Sequence, residues 1–191
     1  MVGVSSRAVL PADNKGDVLR GTPYRAVAPI GHGGMGEVIE AVHIELGKRY
    51  AVKLLHPSLV GRADFADRMR IEAQALALVA HPNLVAVHDL GRTPDGRSYL
   101  VMERLYGRTL AEELRARGAL PAAEAIEYAC QALAGLGAAH AAGIVHRDVK
   151  PANLFLCDCD GARRTVKVLD FGIAKIICET REGAQNPAPL A

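Results

Sequence analysis

Short apolar runs that alternate with polar residues fill the first half of the chain. They are rich in Val, Ile and Ala, and glycines or a Thr-Pro-Asp-Gly turn separate them. A period of two with such spacers predicts antiparallel strands. The predicted strands are 24–30, 37–44, 49–55, 84–89 and 98–102. The pattern therefore predicts a five-stranded antiparallel sheet.

A helical period lies between the third and fourth predicted strands. Phe65, Met69, Glu72, Leu76 and Val79 recur at steps of four, three, four and three, which places them on one helix face that ends before the His-Pro step at 81–82. Glu72 is the charged member of this face. The pattern predicts that its carboxylate points toward the interior.

The second half of the chain has a helical character. Thr109 and Glu112 have the spacing of a capping box, and Gly118 marks the end of that short helix. Pro121 is suited to a helix start, and an Ala-rich helix is predicted to run to about Ala142. The strand-rich and helix-rich parts are therefore expected to meet near residues 103–108.

Composition narrows the class of protein. The chain has 191 residues, half of them apolar, and a net charge of +2. These values fit about one domain with a substantial core, and the absence of a basic block disfavours nucleic acid as a partner. The stretch 128–145 is mostly Ala and Gly, too weakly apolar for a membrane span, and the first residues lack a secretory signal pattern. A cytoplasmic protein without a membrane span is expected.

The four cysteines form no CxxC pair and have no histidine at zinc-finger spacing. Cys157 and Cys159 are too close in sequence to act as an ordinary pair of metal ligands. We expect reduced, partly buried thiols.

Glycines at 31, 33 and 36 form a GxGxxG pattern, followed by Val38. Such glycines permit close approach to phosphate oxygens, but they serve any tight turn equally well. A dinucleotide fingerprint requires a helix directly afterwards, whereas residues 37–42 alternate like a strand. A hairpin that closes over a nucleotide fits the pattern better.

Lys53 is the charged residue of the third strand, on the same face as Ala51 and Leu55. If both faces of that strand are covered, Lys53 and Glu72 each need a partner, because burying an unpaired charge costs several kcal/mol. Pairing the two with each other satisfies both. The alternative is that each side chain reaches solvent at the edge of its element.

A polar loop follows the long helix. His146, Arg147, Asp148 and Asn153 precede one apolar run, and Asp170 follows another. Asn and Asp supply the hard oxygen ligands of a magnesium and phosphate site, and a separate Asp can accept a proton. A solvated turn would explain the His-Arg-Asp step alone, but not the whole set in order.

Taken together, GHGGMGEV, AVK, the Glu of RIEAQ, HPNLV, VMERL, HRDVKPAN and DFG resemble the eukaryotic-type Ser/Thr protein kinase family as it occurs in bacteria. The resemblance covers residues 24–175. It implies an α+β, bilobal protein-kinase-like fold, with a five-stranded antiparallel N-lobe sheet, helix αC and an incomplete helical C-lobe. The implied ligands are ATP and Mg²⁺.

The resemblance also implies roles in nucleotide binding. Val38 and Ala51 would sandwich the adenine, Lys53 would hold the α and β phosphates, and Glu72 would orient Lys53. Met102 resembles the residue at the back of the pocket, and the backbone of Glu103 and Leu105 resembles the hinge that binds the base. The ATP-binding residues implied are Ile30, Gly31, His32, Gly33, Gly34, Met35, Gly36, Glu37, Val38, Ala51, Lys53, Glu103 and Leu105.

The implied catalytic residues are Asp148, Lys150, Lys53 and Glu72. Asp148 would accept the proton of the substrate hydroxyl, and Lys150, typical of kinases that act on Ser or Thr, would steady the γ phosphate. Asn153 and Asp170 would hold Mg²⁺.

The expected domain organisation is a flexible leader at 1–22, a kinase domain at 23–176 and a disordered tail at 177–191. The N-lobe is expected at 23–105 and a partial C-lobe at 106–176, because no Ala-Pro-Glu motif follows the DFG sequence. Family helices beyond that point would cover Ile126, Cys130, Leu133 and Leu136. Without them we expect a bare face that a partner could cover, and impaired transfer.

The expected function is ATP- and Mg²⁺-dependent phosphoryl transfer to Ser or Thr of protein substrates, in signalling. One alternative is a nucleotide-binding or scaffold module without transfer activity. The other is a small-molecule phosphotransferase, which the complete HRDVK and DFG motifs disfavour.

Overall fold

The computed structural model describes residues 18–33, 36–60, 70–71, 73–74, 76–158 and 164–171. Within these residues the strands are β1 Tyr24–Gly33, β2 Gly36–His43, β3 Arg49–Leu55, β4 Val87–Arg92, β5 Ser98–Glu103, β6 Gly107–Thr109, β7 Leu154–Cys157 and β8 Thr165–Val168. The α-helices named here are α1 Leu110–Arg117 and α2 Ala122–Ala141, and the 3-10 helices are Pro57–Leu59 and Pro151–Asn153. Residues 70–71, 73–74 and 76–77 are also helical.

The first five strands form one antiparallel sheet in the order β1-β2-β3-β5-β4. Both faces of β3 are covered. Val52 and Leu54 lie in one apolar cluster and Ala51 and Leu55 in another, all at 8% exposure or less. This confirms the predicted sheet and makes Lys53 a charged residue on a covered face.

The apolar cluster on one face of the sheet extends further toward the N-terminus than the sequence indicated. Leu19, placed in the expected leader, is fully buried in the same cluster as Val52 and Leu54. Its carbonyl accepts hydrogen bonds from the backbone and the hydroxyl of Thr22. The rest of the expected leader, 1–17, lies outside the described residues.

The fourth strand begins three residues later than predicted, at Val87. The preceding segment, 81–86, instead pairs with β8: Leu84 forms a parallel bridge to Val168, and the Val85 N–H donates to the Val168 carbonyl at 3.1 Å. The Asn83 side-chain amide donates to the Val166 carbonyl at 2.8 Å. We call residues 81–86 the latch segment, because it ties the start of β4 to the second half of the chain.

The two labelled helices begin and end where the sequence indicated. Thr109 and Glu112 form both hydrogen bonds of the capping box, and the Gly118 N–H donates to the Leu114 carbonyl. Helix α2 follows Pro121. Local side-chain to backbone bonding therefore sets these boundaries.

Helix α2 packs one face against the core beside β8 and exposes the other. Ile126 and Leu133 are 63% and 66% exposed, and Cys130 is exposed as well. Leu136, predicted to lie on the bare face, is only 8% exposed and packs in the core with Leu156 and Val166. The prediction was wrong at Leu136, which turns toward β7 and β8.

A second, three-stranded sheet, β6-β7-β8, carries the polar loop. Strand β6 was not predicted, since its three residues are recognised only through their pairing with β7. Together the elements give the α+β class that was predicted. Among the described residues, none of the helices is long and apolar enough to cross a membrane.

Candidate functional site

The roof of a cleft is formed by one row of side chains under the five-stranded sheet. In the strand register Val38 pairs with Lys53 and Ala51 with Met102, so these four share a face. Leu105, just past β5, packs against the same cluster. The row therefore has an apolar centre at Ala51 and Met102 and a cation at its inner end.

The glycine hairpin closes over this row. Gly33 pairs with Gly36, and Gly36 has φ = 150°, where a Cβ would lie 2.1 Å from the Leu54 carbonyl oxygen. Only glycine fits there. Ile30, Gly31 and His32 belong to β1 and Glu37 to β2, whereas Gly34 and Met35 lie outside the described residues.

Lys53 forms an ion pair across the cleft. Its Nζ lies 2.7 Å from Oδ1 of Asp170, 117 positions away, and the two side chains are 16% and 43% exposed. The predicted partner, Glu72, lies outside the described residues. The structure therefore joins the sheet to the DFG segment through Lys53.

The polar loop brings three predicted residues together below that pair. Lys150 Nζ is 2.7 Å from Asp148 Oδ2, and Asn153 Nδ2 donates to the same oxygen at 3.2 Å and to the Asp148 carbonyl at 2.8 Å. Asn153 is 8% exposed. One buried amide therefore holds both the backbone carbonyl and the carboxylate of Asp148.

His146 ties the polar loop to the DFG segment. The His146 side chain is 1% exposed, and its Nδ1 accepts a hydrogen bond from the Asp148 N–H at 3.2 Å. The ring proton is therefore on Nε2, which donates to the Leu169 carbonyl at 2.7 Å. The His146 ring also packs on Phe171, with 4.7 Å between centroids. His146 therefore links the loop that carries Asp148 to the segment that carries Asp170.

Two residues of the site have left-handed backbone conformations. Arg147 has φ = 61° and Asp170 has φ = 44°. Non-glycine residues in this region cost of order 1–3 kcal/mol, and they cluster at functional sites. In Asp170 this conformation accompanies the ion pair to Lys53.

Glu40, two residues after Val38 on β2, lies between two arginines at the outer end of the roof. Glu40 accepts from Arg104 Nε at 2.9 Å and also pairs with Arg49. The hydrogen bond from Arg104 is the largest influence that holds the pKa of the Glu40 carboxyl below its usual value, and Arg49 acts in the same direction. Glu40 is therefore ionised between two arginines.

Glu103, predicted to bind through its backbone, uses its side chain elsewhere. Its Oε1 accepts from Lys167 Nζ at 2.6 Å and from the Ala86 N–H at 2.8 Å. In the described part of the chain no hydrogen bond to the Leu105 N–H is found. The Leu105 N–H is therefore available as a hydrogen-bond donor at the hinge.

Comparison with known proteins decides the family. A family model described as a protein kinase domain matches residues 24–187. The chain belongs to the protein kinase domain family. Because this match covers most of the chain, the resemblance drawn from the sequence motifs is confirmed.

Bacterial serine/threonine-protein kinases are among the relatives found. The chain is 43% identical over 153 residues to serine/threonine-protein kinase Pkn1 of Myxococcus xanthus. The matched region covers 80% of this chain and 22% of Pkn1. It is 42% identical over 158 residues to serine/threonine-protein kinase PknA of Mycobacterium tuberculosis, covering 81% of this chain and 36% of PknA. The chain thus spans about a fifth to a third of the length of these relatives.

The fold has solved counterparts in the same family. The crystal structure of the Mycobacterium tuberculosis PknI kinase domain superposes with a TM-score of 0.70 at 32% identity, covering 80% of this chain and 60% of that one. This supports the bilobal kinase fold. The matched part of this chain corresponds to somewhat more than half of that kinase domain.

Sequence reasoning missed the contacts of three site-lining side chains. His146 lay in a recognised motif but was given no role, although it joins Asp148 to Leu169. Arg104 and Lys167 were not singled out, because single charges beside buried strands are usually solvated. For Lys167 the flanking Val166 and Val168, both buried, were the available indication of a packed strand.

Proposed function

We propose that the chain binds ATP with Mg²⁺ and transfers the γ-phosphoryl group to a Ser or Thr hydroxyl of a protein. The observation that supports this best is that the Lys53–Asp170 pair and the Asp148–Asn153 pair are joined through Leu169, whose N–H donates to the Asn153 carbonyl at 2.8 Å. A cation, two carboxylates and an amide are suited to phosphates, a divalent cation and a hydroxyl proton.

Nucleotide binding would use the roof and the hinge. Val38 and Ala51 would enclose the base, and the Leu105 N–H would donate to it. The glycine hairpin from Gly31 to Gly36 would cover the phosphates, where the absence of side chains lets backbone N–H groups approach. Lys53 would contact the α and β phosphates, an interaction that requires its bond to Asp170 to be shared or exchanged.

The donor set fits a magnesium ion. Asp170 offers a carboxylate, and since Asn153 donates from Nδ2 to Asp148, its remaining polar side-chain atom is the carbonyl oxygen Oδ1. Hard oxygen ligands of this kind suit Mg²⁺. When bound, the ion would neutralise charge on the transferred group and the departing diphosphate.

Asp148 would orient and deprotonate the substrate hydroxyl. The hydroxyl oxygen forms a bond to the γ-phosphorus, the bond from the γ-phosphorus to the β–γ bridging oxygen breaks, ADP leaves, and the hydroxyl proton passes to the Asp148 carboxylate. Lys150, 2.7 Å from Asp148, would steady the transferred group. Most of the rate would come from positioning and charge neutralisation.

We also propose the domain division given by the sequence, with an N-lobe at 23–105 and a C-lobe beginning at 106. The end of β5 at Glu103 and the start of β6 at Gly107 support this boundary. The buried Leu19 adds residues 18–22 to the N-lobe side.

The test measures nucleotide binding and phosphoryl transfer separately. Asp148→Asn should lower transfer from radiolabelled ATP to a panel of Ser/Thr proteins by about 10²–10⁴-fold with ATP affinity unchanged. Lys53→Met should weaken ATP binding itself. Asp158→Asn, the same change at an exposed carboxylate outside the cleft, is the matched control and should alter neither.

Other outcomes would overturn the proposal. ATP binding without any transfer to proteins would favour a scaffold module, and transfer to a sugar or amine panel alone would favour a small-molecule phosphotransferase. Transfer that Asp148→Asn leaves unchanged would reassign the base. For Glu72, a double-mutant cycle of Glu72→Gln with Lys53→Met is expected to show strong coupling in ATP affinity.

A further inference from the structure

Arg104 makes three contacts at the hinge, between the two residues proposed to bind the base. Its Nε donates to Glu40 Oε2 at 2.9 Å, and its Nη1 donates to the Leu105 carbonyl. Its guanidinium stacks 4.6 Å from the ring centroid of Tyr106. The Arg104 and Glu40 side chains are 20% and 13% exposed, so both are largely withdrawn from solvent.

The position of Glu40 places this ion pair beside the base pocket. In the register Glu40 pairs with Ala51, and it follows Val38 by two residues on the same strand. Directly paired and alternate residues share a face. Glu40 is therefore the next member of the row that forms the roof, and Arg104 links that row to the hinge.

The same guanidinium uses one of the hydrogen-bonding groups that the hinge could offer to a base. The Leu105 carbonyl accepts from Arg104, so its remaining lone pair lies beside the guanidinium, and the Leu105 N–H is the donor that this residue offers. Adenine has an acceptor at N1 and a hydrogen at position 2 along the edge that would face this residue. A purine with an amino group at position 2 would bring an extra donor to the same place.

We propose that Arg104 determines base specificity, by holding the hinge to β2 through Glu40 and by placing its positive charge at the Leu105 carbonyl. The pocket then accepts adenine and disfavours purines with a 2-amino group. This inference rests on the proposed function, since it concerns the same nucleotide site. Arg104 is a positioning residue: it acts through Leu105 and Glu40 and has no contact with the reacting atoms.

The physical reason is the cost of an unsatisfied donor. A 2-amino group at the hinge would lose its water and meet a carbonyl that already accepts from a guanidinium, whose positive charge repels N–H donors. Leaving a buried polar group without a partner is costly, whereas a hydrogen at position 2 needs no partner. Stacking on Tyr106 keeps the guanidinium plane in place.

The experiment compares two nucleotides on the full 191-residue chain. Calorimetry with Mg²⁺ gives Kd for ATP and for the 5′-triphosphate of 2,6-diaminopurine riboside (2-amino-ATP), and the readout is the ratio of the two Kd values. A general weakening of the fold would raise both Kd values and leave the ratio unchanged. The ratio therefore reports on specificity.

Arg104→Leu should shift this ratio toward 2-amino-ATP by about 3- to 10-fold, the range expected for one hydrogen bond. Arg104→Lys keeps the charge but not the planar fork, and should give an intermediate ratio. Arg49→Leu is the matched control, because Arg49 pairs with the same carboxylate but has no contact with Leu105. Its ratio should equal that of the parent.

An unchanged ratio in Arg104→Leu, with the parent binding ATP, would overturn the role of Arg104 and leave the proposed function in place. A parent chain that does not bind ATP would overturn both. If Arg104→Leu does not fold, Arg104→Lys and Glu40→Gln decide the matter. An unchanged ratio in both of these variants would overturn the inference.

Discussion

The ammonium group of Lys167, on β8, lies 2.6 Å from the carboxylate of Glu103, the last residue of β5. The same lysine donates to the Leu84 carbonyl at 3.2 Å, and the same glutamate accepts from the Ala86 N–H. One ion pair thus connects the five-stranded sheet, the latch segment and the second sheet. Both side chains are at most 26% exposed.

Removing the cation of this pair should lower stability. Lys167→Met is expected to reduce the free energy of unfolding by about 1–2 kcal/mol, because Glu103 loses a charge-assisted hydrogen bond in a largely buried setting. Urea denaturation measures the loss, and hydrogen exchange at the Val85 and Val168 amides should become faster. Lys48→Met is the control and should cost less, because Lys48 is exposed and its ammonium only lies 5.4 Å from the Tyr50 ring centroid; equal losses in both variants would contradict a special role for Lys167.

Two glycines of α2 should respond in opposite directions to the same substitution. A Cβ on Gly135 would lie 2.7 Å from the Asn83 carbonyl oxygen, so Gly135→Ala should push the latch segment away and cost about 1–3 kcal/mol. A Cβ on Gly137 would meet nothing within 4 Å, so Gly137→Ala should stabilise the helix by about 0.5–1 kcal/mol. Thermal and urea unfolding check both, and changes of the same sign would show that α2 does not press on Asn83.

Glu113 on α1 predicts an acid-dependent loss of stability. Its side chain is 2% exposed and lies among Arg117 at 2.8 Å, Arg164 at 2.9 Å and Arg108 at 3.5 Å. The hydrogen bond from Arg117 is the main cause that lowers the pKa of this carboxyl, and Arg164 adds to it while burial opposes both. The folded-state pKa is thus below the unfolded value, and the carboxylate stabilises the fold above that unfolded value.

Glu113→Gln should therefore destabilise the chain by about 2–3 kcal/mol at pH 7, somewhat less than a fully buried pair because the arginines retain some solvent contact. The difference from the parent should stay constant down to about pH 5 and shrink as the pH falls below about 4. Urea titrations across this range measure it. Glu45→Gln at an exposed turn is the control, and a difference that persists unchanged at pH 3 would contradict the argument.

The buried and the exposed face of α2 should differ in their contribution to the free energy of unfolding. Leu136→Ala should cost about 2–5 kcal/mol, since Leu136 packs in the core. Ile126→Gln with Leu133→Gln should change the free energy of unfolding by less than about 0.5 kcal/mol for each substitution and reduce aggregation in light scattering, because both side chains are more than 60% exposed. A large loss from Leu133→Gln would show that this face is covered in solution.

Local patterns predicted the elements, and long-range pairing decided what the patterns left open. The capping box of Thr109 and Glu112 was predictable because both partners lie within one turn. Strand β6 and the shift of β4 were not, because Gly107 and Leu84 take their places from pairing with Cys157 and Val168, tens of residues away.

The contacts of the charged residues likewise depend on long-range pairing that local sequence patterns do not show. Lys53 was expected either to pair with Glu72 or to reach solvent, and its bond to Asp170 could not be predicted because it depends on how the two parts of the chain meet. Glu113 gave no indication in the sequence, because it lies in a short helix rich in Arg and Glu that resembles a solvated one. Its burial follows from Arg164, which approaches from just before β8.

The backbone at Ala86 and Glu103 fixes how the cleft can change its width. The chain enters the β4–β5 hairpin after Ala86 and leaves it after Glu103, and these two residues exchange two hydrogen bonds: the Glu103 N–H donates to the Ala86 carbonyl at 3.0 Å, and the Ala86 N–H donates to the Glu103 carboxylate. The two crossings are therefore fixed to each other by hydrogen bonds at one point. We expect a turn of the five-stranded sheet about this point to change the distance between Lys53 and Asp170 while the Ala86–Glu103 bonds stay in place.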